Sequence, residues 1–298
     1  MAWRGVHVSQ PARLTLADGQ LVVDQADGAA KIPLEDVAWL VIDTPQATLT
    51  TALLAACMAA GLAIVTTDAR HTPSGLMLPF HGHFRQGAVA MLQADISAPL
   101  RKRLWQTVVQ AKIVNQAAVL NGAGSDGRAV AAMAGLVGSG DVTNVEARAA
   151  RAYWAELFAK FRREDGADKR NMLLNYGYAV VRAAVARGLV AAGLLPAFGI
   201  GHASGSNAFN LADDMVEPFR PFVDRQVLRL TDGGRISEGE PSLSERRELA
   251  ALPLQSVRMG NEVMTLLAAT ERVAESLVRA MELKTPAVLV LPSLPAAL

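Results

Sequence analysis

The sequence has almost no cysteine and almost no net charge, and both absences narrow what it can be. Cys57 is the only cysteine, which excludes an intramolecular disulfide and a cysteine-based zinc site. The net charge of +1 over 298 residues shows no strongly basic nucleic-acid binder. Contact with DNA would therefore depend on local groups of basic residues. The 51% hydrophobic content is that of a globular protein with a large core.

Common nucleotide-binding and hydrolase motifs are also missing. The chain has no phosphate-binding G-x-x-x-x-G-K-[ST] loop and no G-x-S-x-G nucleophile elbow. Residues 122–127, GAGSDG, match the dinucleotide-binding pattern, but a long predicted helix precedes them where such a site needs a strand. The end of a helix followed by a turn is the favoured interpretation. His81 and His83 could contact one metal ion, or they are exposed linker histidines, which we favour because no third ligand is near. His7 and His71 are isolated and are given no role.

Residues 44–67 form an uncharged stretch that is long enough to cross a bilayer. The stretch is rich in Thr, Ala and Gly, and Gly61 interrupts it. It therefore predicts a buried helix from about Thr50 to Ala60 and a buried strand over Leu62–Thr66. Since the first residues also lack an apolar signal core, we expect a cytoplasmic protein that makes no membrane contact.

The first 75 residues favour β-structure. Apolar and polar residues alternate on both sides of Asp18-Gly19, which predicts a hairpin. The segments AKIPL and VAWLVID are further strand candidates. Prolines and glycines then interrupt the pattern and indicate a linker over residues 76–95.

From residue 96 onward the apolar spacing is that of helices. The segments with this spacing are RKRLWQTVVQAKIVNQAAVLNG, VEARAARAYWAELFAKFRRE, NMLLNYGYAVVRAAVARGLVAAG, LADDMV, PFVDRQVLRL and NEVMTLLAATERVAESLVRAMEL. The sequence thus predicts an α+β protein: a small β-rich N-terminal domain (1–75), a linker (76–95) and a larger all-helical C-terminal domain (96–298).

Carboxylates gather in the segment that follows His202. Asp213 and Asp214 precede Glu217 by four and three residues, so a helix would place all three on one face. Such crowding is costly without a positive charge, which a divalent cation or Arg220 could supply. An equally weighted alternative is that these acidic residues stabilise the N-terminus of a solvent-exposed helix. Oxygen ligands with one imidazole suit Mg²⁺ or Mn²⁺, ions that serve phosphoryl transfer.

Glu146 is the candidate for a further acidic ligand. It begins a predicted helix that also carries Arg148 and Arg151, which could bind phosphates. From this residue alone, the favoured alternative is that Glu146 only stabilises the N-terminus of its helix.

Five segments together resemble one family. They are MAWRGVHVS, LMLPFHGH, NVEARAARAYW, NMLLNYGYA and FGIGHASGSNAFNLADDMVEPFRPFVD, which follow one another in order over most of the chain. This order and spacing resemble the CRISPR adaptation integrases of the Cas1 family, and in particular those of type II systems. The last two segments are the most specific.

The resemblance implies a site and an activity. It implies Glu146, His202 and Glu217 as catalytic metal ligands for Mg²⁺ or Mn²⁺, with Asp214 and, less specifically, Asp213 as auxiliary acids. It implies an endonuclease and integrase that joins the 3′-hydroxyl ends of captured DNA fragments to a CRISPR repeat array. Candidates for contacts with the DNA backbone are the basic residues Arg148, Arg151, Lys160, Arg162, Arg163, Arg220 and Arg225.

The resemblance also implies partners. These are double-stranded DNA, a second copy of the chain in a homodimer that the N-terminal domain forms, and the small ferredoxin-like Cas2 protein, with the type II effector nuclease and Csn2 as further partners. Two alternatives remain: a stand-alone metal-dependent endonuclease that acts on repair or branched DNA, and a non-catalytic DNA-binding scaffold. The first would cleave DNA without joining it, and the second would be indifferent to chelators.

Overall fold

A computed structural model describes residues 3–80, 83–231, 233–234 and 239–294. His81 lies outside the described residues, so the expectation about the His81–His83 pair stays a prediction.

The N-terminal part consists of two small sheets around one helix. Its elements are β1 (Arg4–Val8), β2 (Ala12–Ala17), β3 (Gln20–Gln25), β4 (Gly28–Pro33), β5 (Val37–Ile42), β6 (Ala47–Leu49), α1 (Thr51–Ala59), β7 (Ala63–Thr67) and β8 (Pro73–Met77). One sheet has the order β1-β5-β7-β8 and the other β4-β3-β2-β6. The predicted hairpin is present as β2 and β3, with positive φ angles at Asp18 and Gly19.

Strand β5 lies between this part and the rest of the chain, and all of its residues are buried. Leu40 and Ile42 pack into the N-terminal core, whereas Trp39 and Val41 pack into the main core. The indole N–H of Trp39 also donates a hydrogen bond to the backbone oxygen of Ala250, at 3.1 Å. Two-sided burial explains why this strand lacks an apolar–polar alternation.

The remainder is mostly helical. Its elements are α2 (Gln86–Ala94), α3 (Ala98–Gly122), α4 (Arg128–Ala134), α5 (Val145–Leu157), α6 (Lys169–Ala191), α7 (Asn210–Val216), α8 (Arg220–Leu230), α9 (Leu243–Ala250), β9 (Ser256–Met259), β10 (Glu262–Thr265) and α10 (Leu266–Glu282). Helix α3 contacts α4, α5, α7 and α8, which makes it the central element of this part.

Four details differ from the sequence-based expectations. The C-terminal part is not all-helical, because β9 and β10 form a hairpin around Gly260, whose φ is 61°. The last helix begins at Leu266, after Thr265 caps it, and not near Asn261. The predicted linker contains helix α2, and α5 ends at Leu157 because the backbone at Phe158 is extended.

Among the described residues, no helix is both long enough and apolar enough to cross a membrane. The uncharged stretch is divided into α1 and β7, as the sequence indicated.

Candidate active site

Helix α3 provides one wall of the candidate site through Trp105 and Lys112, which lie two turns apart on the same face. The Nζ atom of Lys112 lies 2.6 Å from Oε1 of Glu146 and 2.5 Å from Oε2 of Glu217. The lysine side chain is only 12% exposed. One buried ammonium group therefore holds together two carboxylates from separate elements.

Glu146 is placed by the start of α5. Asp141 accepts hydrogen bonds from the backbone N–H groups of Val145 and Glu146, each at 2.9 Å. These bonds satisfy two of the free N–H groups that every helix has at its first turn. Asn144, just before the helix, has a φ of 52°, which turns the chain into it. Glu146 is thus in the first turn, where a carboxylate is also stabilised by the helix dipole.

Glu217 begins a short 3₁₀ turn, Glu217–Phe219, between α7 and α8. Its Oε1 atom accepts a hydrogen bond from Nε of Arg220 at 2.8 Å. Burial raises the pKa of Glu217, but the charges of Lys112 and Arg220 outweigh burial and lower it to about 2. Its Oε2 atom is buried and has no hydrogen bond of good geometry, although Lys112 is close.

His202 is held by a buried carboxylate. Its Nδ1 atom lies 2.7 Å from Oδ1 of Asp214, a residue with no exposed surface. Asp214 also accepts the backbone N–H groups of Ile200, Gly201 and His202, at 2.6, 3.0 and 2.9 Å. The ring of His202 lies edge-on to Trp105, with centroids 5.6 Å apart. This arrangement commits Nδ1 to Asp214 and leaves Nε2 available to a ligand.

Both glutamates act on His202 through their charges. The hydrogen bond to Asp214 raises the pKa of His202, and the charges of Glu217 and Glu146 raise it further.

Asp213 does not belong to this group. Its carboxylate pairs with the guanidinium of Arg182 on α6 and accepts a hydrogen bond from Nδ2 of Asn207 at 2.6 Å. The acids of this segment thus bond to different partners, whereas the sequence pattern suggested one shared face. The backbone stays helical through Glu217, and its side chain meets Lys112 and Arg220, whereas Asp213 meets Arg182.

The donor atoms are of the types that bind Mg²⁺ or Mn²⁺. They are two carboxylates that already share one cation, and the imidazole of His202, whose Nδ1 atom is held by a carboxylate. In the described ranges, no three His, Cys, Asp or Glu side chains converge closely enough to hold an ion as they stand. The Lys112 ammonium lies between the two glutamates, so it must move before both can bind the same ion.

The candidate DNA-contacting residues fall into two groups. Arg163 and Arg220 line a cavity beside Glu217, and Arg220 is held by its ion pair with Glu217. The others lie elsewhere on the surface: Arg148, Arg151, Lys160 and Arg162 are exposed, and Arg225 is half-buried over the ring of Phe222.

Comparison with known proteins decides the family. The family model described as CRISPR associated protein Cas1 matches residues 6–247. A CRISPR-associated endonuclease Cas1 from Neisseria meningitidis serogroup C is 42% identical over 239 residues, which is 79% of this chain and 78% of that protein. The chain belongs to the Cas1 family. The predicted family and enzyme class are therefore confirmed.

A further relative supports this assignment, and solved structures share the fold. A Cas1 endonuclease from Pyrobaculum aerophilum is 29% identical over 93% of this chain and 98% of its own length. A Cas1 protein from Thermotoga maritima has a TM-score of 0.75 at 16% identity, covering 94% of this chain and 97% of that one. A casposase bound to its integration product has a TM-score of 0.76 at 17% identity, covering 96% and 92%. These structural similarities confirm the predicted fold class.

The segment NMLLNYGY of this Cas1-family chain holds the helices together. Asn171 donates hydrogen bonds to the backbone oxygens of Arg162 and Asp165, at 2.7 Å each. Gly177 lies where an added Cβ would come within 2.4 Å of Val223 on α8, so only glycine permits this close packing. Tyr178, at the end of the segment, hydrogen-bonds to Asp224.

Sequence reasoning missed Lys112, the residue that joins the two glutamates. The signal was a lysine within the apolar stripe of a long helix, one residue before the fully buried Ile113. A buried lysine requires a counter-charge, and two unpaired glutamates were already candidates for a common site.

Proposed function

We propose that this Cas1-family chain is an integrase of CRISPR spacer acquisition, most similar to the type II kind. It would join the 3′-hydroxyl ends of captured DNA fragments to the CRISPR repeat array. The observation that supports this proposal best is the pairing of Glu146 and Glu217 at one cation, beside a histidine that Asp214 orients.

In this proposal Glu146, His202 and Glu217 hold Mg²⁺ or Mn²⁺. The ion would polarise a phosphate oxygen and stabilise the leaving oxygen. Asp214 keeps the imidazole in position, so that little reorganisation is needed when the ion binds. Asp213, which pairs with Arg182, is assigned no contact with the ion.

The reaction is a transesterification. The 3′-oxygen of the captured strand forms a bond to phosphorus at the junction of leader and repeat, and the bond from phosphorus to the 3′-oxygen of the leader strand breaks. The attacking hydroxyl loses one proton to solvent, and the leaving oxygen takes up one proton. Charge and atoms balance, so no ATP is needed.

Arg220 and Lys112 neutralise Glu217, which lowers the repulsion that an incoming phosphate would meet. The exposed residues Arg148, Arg151, Lys160 and Arg162, with Arg225, are proposed to contact the DNA backbone. Such contacts make affinity dependent on salt and mostly independent of sequence.

We further propose a homodimer formed by the N-terminal domain (1–75) and a catalytic domain over 96–298. The proposed partners are double-stranded DNA and a Cas2 protein, with the type II effector and Csn2 as additional partners. This view is supported by the complexes in which similar folds occur, such as a Cas6-RT-Cas1–Cas2 complex with a TM-score of 0.74. Because the array is genomic, we place the reaction in the cytoplasm.

A strand-transfer assay tests the proposal. Purified protein, with and without Cas2, is mixed with a short duplex bearing free 3′-hydroxyls and a plasmid carrying a repeat array. Mg²⁺ and Mn²⁺ are compared with EDTA. We expect joined products that require metal and that fall about 100-fold or more in His202→Ala, since a ligand to the ion is lost.

His83→Ala is the matched control, because His83 packs against Phe84 and lines a separate cavity with Arg85 and Glu275. It should join DNA at the wild-type rate. Cleavage without joining would support the stand-alone endonuclease instead, and neither reaction under any metal would support the scaffold.

A further inference from the structure

Asn115 is a buried polar residue on α3, the helix that also carries Lys112. It is 1% exposed and lies three residues after Lys112, so both side chains leave the helix on the same side. Its Nδ2 atom donates hydrogen bonds to the backbone oxygens of Pro218, at 2.8 Å, and Pro292, at 2.9 Å. Its Oδ1 atom accepts the backbone N–H group of Leu294 at 3.0 Å. Both N–H groups of the amide and its oxygen therefore have a backbone partner.

The first of these partners belongs to the turn that carries a candidate metal ligand. Pro218 directly follows Glu217 in the 3₁₀ turn Glu217–Phe219. Helix α3 thus holds this turn at two points. Lys112 contacts the carboxylate of Glu217 at 2.5 Å, and Asn115 binds the carbonyl of the next residue. The bond from Asn115 acts on the backbone of the turn, whereas the ion pair acts at the end of a flexible side chain.

Metal binding would affect these two contacts differently. The ammonium of Lys112 lies between Glu146 and Glu217, and it must move before both glutamates can bind one ion. The bond from Asn115 to Pro218 involves neither glutamate side chain, so it is kept when the ammonium leaves. Asn115 can therefore hold the backbone of the turn in place at the step when the ion pair to α3 is lost.

The C-terminal segment, residues 283–294, fixes the orientation of the Asn115 amide. An N–H donor can bond to the oxygen of an amide but not to its nitrogen. The N–H group of Leu294 therefore turns Oδ1 towards the segment and leaves Nδ2 for the two carbonyls. The segment is itself anchored, because Ser293 exchanges two backbone hydrogen bonds with Arg258 of β9, at 2.8 and 3.1 Å. Leu294 is also buried in the main core.

We propose that Asn115 is a positioning residue for Glu217 and that the C-terminal segment keeps Asn115 in place. Asn115 acts through the backbone of the turn and not by contact with the ion. The C-terminal segment, which contains no candidate metal ligand, thereby contributes to the active site. The inference rests on the proposed function, since it assigns how one ligand of the ion is held in position.

Hydrogen exchange of the metal-free protein tests this role without any joining reaction. The whole wild-type chain and Asn115→Leu are compared in EDTA, and deuterium uptake is followed in peptides that cover residues 216–222. Leucine is close to asparagine in size but has no donor or acceptor in its side chain, so the turn loses its hydrogen bond to α3. We expect the amides of the turn to exchange about tenfold faster, the effect of one buried hydrogen bond.

Mn²⁺ binding measures the consequence for the site. Free Mn²⁺ is followed by electron paramagnetic resonance during a titration without DNA. We expect Asn115→Leu to raise the dissociation constant about tenfold or more, the usual effect of losing a residue that orients a metal ligand. Leu294→Pro removes the N–H group that orients the amide, so it should raise both the exchange rate and the dissociation constant. Melting curves show which variants fold, and Leu294→Pro provides the test if Asn115→Leu does not.

Asn171→Leu is the matched control. Asn171 is also 1% exposed, and its Nδ2 atom likewise donates to two backbone oxygens, those of Arg162 and Asp165. This substitution should therefore lower the melting temperature by a similar amount. The exchange rate of residues 216–222 and the affinity for Mn²⁺ should nevertheless stay as in the wild type. A change in Asn115→Leu that this control lacks reports the position of the turn and not the general stability.

The outcomes separate this inference from the proposed function. Wild-type exchange and Mn²⁺ affinity in Asn115→Leu, or equal changes in Asn171→Leu, overturn the role of Asn115. A wild-type result for Leu294→Pro overturns the role of the C-terminal segment. If the wild-type chain binds no Mn²⁺ and joins no DNA, the proposed function fails, whereas the exchange rates still decide whether Asn115 holds the turn.

Discussion

Asp214 holds His202 by the Nδ1 atom of its ring, at 2.7 Å, and by the backbone N–H group of the same residue, at 2.9 Å. The carboxylate has no exposed surface and also accepts the N–H groups of Ile200 and Gly201. Asp214 thus fixes the entire loop that presents the imidazole. Its structural contacts are those of a residue that orients a ligand and not of a ligand itself.

Replacing this carboxylate should damage both stability and activity. Asp214→Asn puts an amide where the carboxylate meets three backbone N–H groups and the Nδ1 atom of His202, so we expect a loss of about 3 kcal/mol in the free energy of unfolding. Joining should fall about 10–100-fold because His202 loses its orientation. Asp213→Asn is the control, since Asp213 is partly exposed and pairs with Arg182. Urea unfolding measures the stability of the two variants, and the strand-transfer rate measures their activity. Equal effects of the two variants would contradict the role of Asp214 in orienting His202.

Gly201, the residue before His202, allows the indole ring of Trp105 to pack closely against the loop. A Cβ at Gly201 would come within 2.4 Å of the indole ring, so Gly201→Ala must displace the loop. We expect joining to fall about 100-fold, because small displacements of reacting groups have effects of this size. Gly205→Ala is a control in the same loop, since its added Cβ would meet nothing within 4 Å. If Gly205→Ala reduced the initial rate equally, the close approach to Trp105 would not be the cause.

Lys112 should compete with a divalent ion for the two glutamates. In EDTA, Lys112→Met leaves Glu146 and Glu217 without their shared cation, so its free energy of unfolding should fall by about 3 kcal/mol. Mn²⁺ should then raise the melting temperature of Lys112→Met by more than that of the wild type. Lys102→Met, an exposed position on the same helix, should resemble the wild type under both conditions. An equal Mn²⁺ shift in all three proteins would argue against competition.

Asp43 should make the fold sensitive to acid. It accepts from His7, Arg246 and His71 at 3.0, 2.7 and 2.7 Å. Burial raises the pKa of Asp43, but these hydrogen bonds outweigh burial and lower it from 3.8 to about 2. A carboxylate with a lowered pKa adds stability that is complete above about pH 4 and is lost as the pH falls through about 2. The shift corresponds to about 2 kcal/mol.

Asp43→Asn should therefore unfold more easily than the wild type at pH 7, and this difference should narrow between pH 4 and pH 2. Urea unfolding at a series of pH values measures it. Asp24→Asn, an exposed position on β3, should follow the wild type throughout. A difference that stays constant down to pH 2 would show that ionisation of Asp43 is not responsible.

Local sequence patterns predicted much of the fold. The turn at Asp18-Gly19, the division of the uncharged stretch at Gly61 and the long helix that ends at Gly122 were all predicted, because each depends on neighbouring residues. The hairpin of β9 and β10 was missed, since its strands are short and its glycine turn lay next to a strongly helical pattern.

The sequence by itself determined the family, the fold class and the set of candidate ligands, because each of these is carried by contiguous motifs and apolar spacing. Only the tertiary structure decided which charges meet. It brings Lys112 of α3 between Glu146 of α5 and Glu217, and it buries Asp43 against Arg246, 203 positions away. Such pairings depend on how helices and strands pack. The sequence shows that a buried carboxylate needs a counter-charge, but it does not show which basic residue will supply it.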